Sequence, residues 1–126
     1  MGTWGDGNFE SDVALDMLAV WRRKIIDTIR EAFTLPSEDR PYDGQGDSHI
    51  VANVDILATL CEHYSECPNL GLEEISEWKQ NYLHTYAVFT QRFTRIEDRD
   101  SFKKRLEIVE ATFDRLYQVV KNLCED

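Results

Sequence analysis

Long apolar runs are missing from this chain. The longest near its start is Met17-Leu18-Ala19-Val20-Trp21, far short of the ~20 apolar residues a spanning helix needs. No positively charged stretch precedes it, so neither a secretory signal peptide nor a membrane partner is expected. Met1-Gly2 is no myristoylation signal, since Asp6 stands where Ser or Thr is needed. Cysteine is scarce: Cys61, Cys67 and Cys124 are an odd set without a Cys-x-x-Cys pair. Reduced thiols in a cytoplasmic protein are the simplest expectation. Basic charge is also in deficit, with 14 Lys and Arg against 24 Asp and Glu, a net charge of −10 and a pI near 4.7. Such a domain repels phosphate backbones, which argues against nucleic acid and for either solubility or a basic protein partner.

What is present is enough for one domain over residues 1–126. A chain of this length buries roughly two-thirds of its unfolded surface, and six Phe, five Tyr and three Trp supply core volume. Apolar residues at Ala14, Met17, Leu18, Trp21, Ile25, Ile29, Ala32 and Phe33 have helical spacing and predict a helix over about 11–33. Residues 34–47 hold two of the three prolines and form a long loop. A second helix over about 48–65 carries Val51, Val54, Leu57, Ala58 and Cys61 on one stripe and ends before Pro68. The third, about 72–94, aligns Leu72, Ile75, Trp78, Tyr82, Tyr86, Phe89 and Phe93. Glu73, Glu74 and Glu77 at its start and Arg92 and Arg95 at its end suit the helix dipole. The apolar phase then breaks near Glu97-Asp98-Arg99-Asp100 and restarts at Phe102, Leu106, Val109, Phe113, Leu116, Val120 and Leu123. That four-three alternation resembles a coiled-coil seam but is too short to stand alone, so bundle packing is expected, leaving monomer and homodimer both open. No strand pattern competes. The expected fold is all-α, a bundle of about four main helices with a glycine-rich N-terminal arm, residues 1–10, packed on it.

Candidate chemistry concentrates at the start. Gly2, Gly5 and Gly7 before a helix suggest a phosphate cradle, yet no strand precedes them, no lysine follows closely, and Asp6, Glu10 and Asp12 repel phosphate. Asp6, Asn8, Glu10 and Asp12 alternate like calcium ligands, but Ser11 and Met17 occupy the positions where an EF-hand needs Gly and an acid. A looser carboxylate site from Asp12, Asp16 and Asp55 is the remaining metal candidate. Cys61, His63 and Cys67 lack a fourth ligand, and residues two apart on a helix diverge. No spacing selects a Cys–His catalytic pair among His49, His63 and His84. A structural reading of the arm is simpler: Trp4 and Phe9 plug the gaps between helices, Gly5 and Gly7 allow sharp turns, and Asp12 and Asp16 bond the arm's own amides.

The opening Met1, Gly2, Trp4, Gly5, Gly7, Phe9, Asp12, Ala14 and Asp16 resembles the start of the bacterial family called domain of unknown function 4259. Ser11 departs where that family usually has Asn, and Met17 stands where an aromatic often follows. Asp55, within Val51-Ala52-Asn53-Val54-Asp55-Ile56-Leu57-Ala58, looks like the family's acidic residue in an Ala-rich helix. From about residue 72 onward no match is evident. The resemblance implies a mostly helical domain and no established activity.

The reading is of a cytoplasmic, non-enzymatic interaction module without a cofactor, immunity- or inhibitor-like toward a basic partner. The alternative is a small-ligand or metal-dependent enzyme whose carboxylate site lies where the arm meets helices one and two. The cluster that matters under either is Trp4, Gly5, Gly7, Phe9, Asp12, Asp16 and Asp55. If the arm is a plug, deleting residues 1–9 or making Trp4→Ala lowers the melting temperature markedly; an unchanged melting temperature overturns the plug reading.

Overall fold

The computed structural model describes residues 12–34, 48–91 and 99–124. They form four helices: α1 (Asp12–Thr34), α2 (Ser48–Tyr64), α3 (Leu72–Gln91) and α4 (Arg99–Cys124). No strand occurs among the described residues, and the fold is an all-α bundle. Residues 1–11, 35–47 and 92–98, where the arm, all but the first residue of the expected 34–47 loop and the expected last turn of α3 with Phe93 fall, lie outside the described residues.

α2 is the inner helix. Its stripe of Val51, Val54, Leu57, Ala58 and Cys61 is buried as the spacing predicts, and Ile50 joins it at 1% exposure. The helix packs on both α1 and α4, and α4 packs in turn on α3. Phe33 of α1 stacks on Trp78 of α3 at 6.3 Å, closing the ring of helices. Between α3 and α4 the core is aromatic, with Tyr82 against Phe113 at 5.7 Å and Tyr86 edge-on to Phe102 at 6.5 Å. Val109, Phe113, Leu116 and Val120 of the α4 seam are all buried inside the bundle. Each buried side chain of this kind contributes about 1.5–3 kcal/mol by leaving water.

α2 ends by an identifiable mechanism. Ser65 adopts a left-handed backbone with φ 52°, and the Glu66 amide donates back to the Cys61 carbonyl at 3.3 Å. This is a Schellman closure, which satisfies a carbonyl the helix would otherwise leave free. Pro68, itself buried, prevents any resumption. α3 restarts where the Ile75 amide donates to the Gly71 carbonyl, with Glu73 and Glu74 in the first turn.

Two expectations need correction. The expected stripe of α1 holds at Leu18 and Ile29, which are buried, and at Ile25, Ala32 and Phe33, which pack against the core, but Met17 and Trp21 are 50% and 54% exposed, and Arg22 and Ile26 face inward instead. The helix holds more apolar side chains than one face can bury. The run 18, 22, 26, 29, 33 follows the helical period closely enough to carry Arg22 inside with it. Second, the thiols are not all reduced. Cys67 and Cys124 form a disulfide with their Cα atoms 5.4 Å apart, and Cys61 alone is free and buried. Spacing gave no hint, because the bridge joins residues 57 positions apart that meet only when the end of α4 reaches the α2–α3 connection. The expectation that all three thiols are reduced, one support of the expected cytoplasmic location, is therefore lost.

Closing a loop of this length restricts the unfolded chain. Cys67→Ser/Cys124→Ser is expected to lose roughly 2–4 kcal/mol in denaturant unfolding. A reducing agent should produce the same loss in the unmodified protein and none in the double variant.

Candidate functional site

Of the seven residues expected to form one cluster, the described helices hold the three carboxylates. Trp4, Gly5, Gly7 and Phe9 lie outside the described residues, and Asp12 is the first residue of α1. Asp16 is exposed on α1. Asp55 is exposed on α2, and its Oδ1 accepts a 2.8 Å hydrogen bond from Arg115 Nη1 of α4. Arg115 also donates to Thr59 Oγ1 at 3.2 Å and lies 3.7 Å from Glu62. Asp55 thus serves as a tie between α2 and α4. Among the described residues no group of three or more His, Cys, Asp or Glu is arranged to hold a metal ion.

The cysteines offer little nucleophilic chemistry. Burial pushes the Cys61 thiol up to about 11, against the pull of the nearby Arg22 charge. A thiol so protonated at neutral pH is a poor nucleophile, and the other two sulfurs are bonded to each other. His63 and His84 are exposed.

Two features of α1 were not foreseen. On its outer face Val13, Met17, Val20 and Trp21 are 77%, 50%, 45% and 54% exposed. Their spacing places them within about a third of the helix circumference, opposite Leu18, Arg22 and Ile29. Lys24 Nζ sits 4.9 Å from the centre of the Trp21 ring, a cation–π contact that leaves the rest of the strip in solvent. On the flank of the same helix, a cavity of about 320 Å³ opens between α1 and the α2–α3 connection. Arg22, Arg23 and Arg30 line it, with Asp27, Ile26 and Pro68. Arg22 is 7% exposed and its nearest carboxylate, Glu66, is 3.8 Å away. The signal for it was present in the sequence, since Arg22 stands four residues from both Leu18 and Ile26. A second cavity, about 440 Å³, lies between α3 and α4, where Lys79 donates to Asp114 at 2.7 Å.

Arg30 is engaged more fully than Arg22. Its Nε and Nη2 donate to the two carboxylate oxygens of Glu74 at 2.7 and 2.8 Å, and Asp27 lies 3.8 Å away. The paired hydrogen bonds from Arg30 hold Glu74 below its ordinary carboxylate value, and Glu74 in turn raises Arg30. This fork joins the second half of α1 to the start of α3 beside the Phe33–Trp78 stack.

These features define a small all-α bundle with an apolar outer strip and an arginine-lined cavity on its first helix. The chain belongs to the family described as domain of unknown function (DUF4259), whose model matches residues 2–123. The likeness therefore runs well past the opening motif and through α3 and α4, where none was evident from the sequence. No curated protein and no solved structure matches the chain. No helix among the described residues is long and apolar enough to cross a membrane.

The Arg30–Glu74 fork has a pH signature. Because folding lowers Glu74, its contribution is present above the ordinary carboxylate value and is lost as pH falls through the lowered folded value. Both side chains are partly exposed, so Glu74→Gln should cost only ~0.5–1 kcal/mol at neutral pH. Urea unfolding of both proteins across the acid range should show the difference closing as Glu74 protonates.

Proposed function

We propose that this protein is a non-enzymatic interaction module that binds a basic partner protein, in the manner of an immunity protein or inhibitor. The observation that carries this reading is the outer strip of α1. Val13, Met17, Val20 and Trp21 are displayed together at 45% exposure or more, although the helix buries a separate apolar face against α2. Single exposed apolar residues are ordinary, but a contiguous set rimmed by polar groups marks an interaction surface. An amphipathic helix engages a groove through anchors at this spacing, and Trp and Met are among the residues enriched in such contacts.

Charge supports the choice of partner. Asp16 lies one helical turn from both Val13 and Val20, Asp27 lies two turns beyond Val20, and the whole chain carries −10. A field of that sign speeds encounter with a basic surface and disfavours acidic ones. The compartment remains part of the proposal: the buried, reduced Cys61 fits the expected cytoplasm, whereas the Cys67–Cys124 bridge fits an oxidising environment better.

A pull-down from native-host extract, with the protein as bait, tests the reading. The unmodified chain should retain a basic protein at low salt and release much of it at high salt. Met17→Glu combined with Trp21→Ala should abolish retention while shifting the melting temperature little, since both side chains are half exposed. Absence of a stable partner at either salt, or full retention by the double variant, overturns it.

A further inference from the structure

We propose that the cavity between α1 and the α2–α3 connection binds a small organic oxyanion, a carboxylate or a phosphate ester, against Arg22 and Arg23. The starting point is an electrostatic debt inside the fold. The Arg22 side chain is 9% exposed, and its Nη1 has no hydrogen-bond partner. Its counter-charge, Glu66, is 3.8 Å away, beyond hydrogen-bond distance and itself 39% exposed. The buried Cys61 thiol, held protonated with a value of about 11, supplies no negative charge. A buried guanidinium is costly unless it is paired and hydrogen-bonded.

The cavity that Arg22 lines supplies room for the missing partner. Of its three arginines, Arg30 is already committed to Glu74 and Asp27. Arg23 is exposed at the cavity and has no ion pair among the described residues, so it can supply the second guanidinium. Arg22 and Arg23 are thus the two guanidinium groups at the cavity that no carboxylate among the described residues engages by a hydrogen bond. The volume of about 320 Å³ is roughly that of ten waters, more than a bare inorganic ion requires. Ala19, Ile26 and Pro68 on its walls suit a short apolar portion attached to the anion. The planar donor fork of arginine matches carboxylate and phosphoryl oxygens equally, which is why the two chemistries are named together.

The site is separate from the outer strip of α1, so the two readings stand or fall independently. The test is thermal unfolding of the full chain with sodium benzoate, sodium phenyl phosphate or sodium chloride at matched ionic strength. At about 10 mM, one or both organic anions should raise the melting temperature by roughly 3 °C over chloride. A benzoate response alone assigns a carboxylate, a phenyl phosphate response alone a phosphoryl group, and both together a general oxyanion site. Arg22→Met, which keeps the packing of the stem, should weaken binding by about tenfold or more in calorimetric titration. Arg23→Gln, at an exposed position, should weaken it in the same direction without disturbing the fold. It decides the matter if Arg22→Met does not fold. Met17→Glu/Trp21→Ala should bind the anion as the unmodified chain does. No response beyond chloride to either anion, or an unaltered response in Arg23→Gln and any folded Arg22→Met, overturns the proposal.

Discussion

Everything in this bundle is arranged around the burial of α2 between α1 and α4. Six of its side chains, from Ile50 to Cys61, are at most 4% exposed, and no other described helix is enclosed so fully over so short a length. A helix packed by two neighbours cannot rotate without exposing one apolar contact or the other. Its orientation therefore dictates which face α1 presents inward and where α4 must lie. The Asp55–Arg115 tie follows from that placement: the carboxylate sits at the solvent edge of the α2–α4 interface, where an arginine can reach it without losing water altogether.

Arg22 is the consequence on the other side of α2. Given the register of Leu18, Ile26 and Ile29, the residue midway between them on the same face has to point inward whatever its chemistry. Arginine is tolerated there because its long stem packs with the aliphatic residues while the guanidinium reaches toward Glu66 and the cavity. Seen this way, the exposed Met17 and Trp21 and the buried Arg22 are one fact. A helix whose apolar and charged residues are interleaved has been fixed in rotation by its neighbour, and the residues on the losing face remain in water.

The helices themselves were legible because their apolar periods are long and uninterrupted. The break in phase before Phe102 separated α3 from α4, and the stripes of α2, α3 and α4 named core residues such as Leu57, Tyr82 and Phe113 that are fully buried. Periodicity in α1 was ambiguous for a physical reason. With apolar residues spread over two faces, the sequence favours neither rotation, and only contact with α2 decides. The disulfide was hidden for another reason, since pairing depends on the three-dimensional approach of chain ends and not on local spacing. Of the candidate carboxylates, Asp55 has a partner across the α2–α4 interface, Arg115, that lies 60 residues away and that no local spacing announces. Arg22 alone among the site residues missed could have been found by asking which side chain completes the inward run of α1.

The Cys67–Cys124 bridge also gives the molecule an asymmetric response to force. Pulling on the two ends would peel α1 and α2 from the bundle, but α3 and α4 lie within a covalent ring and bear no load along their contour. The 57-residue separation withholds roughly 190 Å of extended chain from any applied tension. Half of the bundle is in this sense a tether of variable length, and the other half a knot-like bead whose helices can loosen without lengthening the chain.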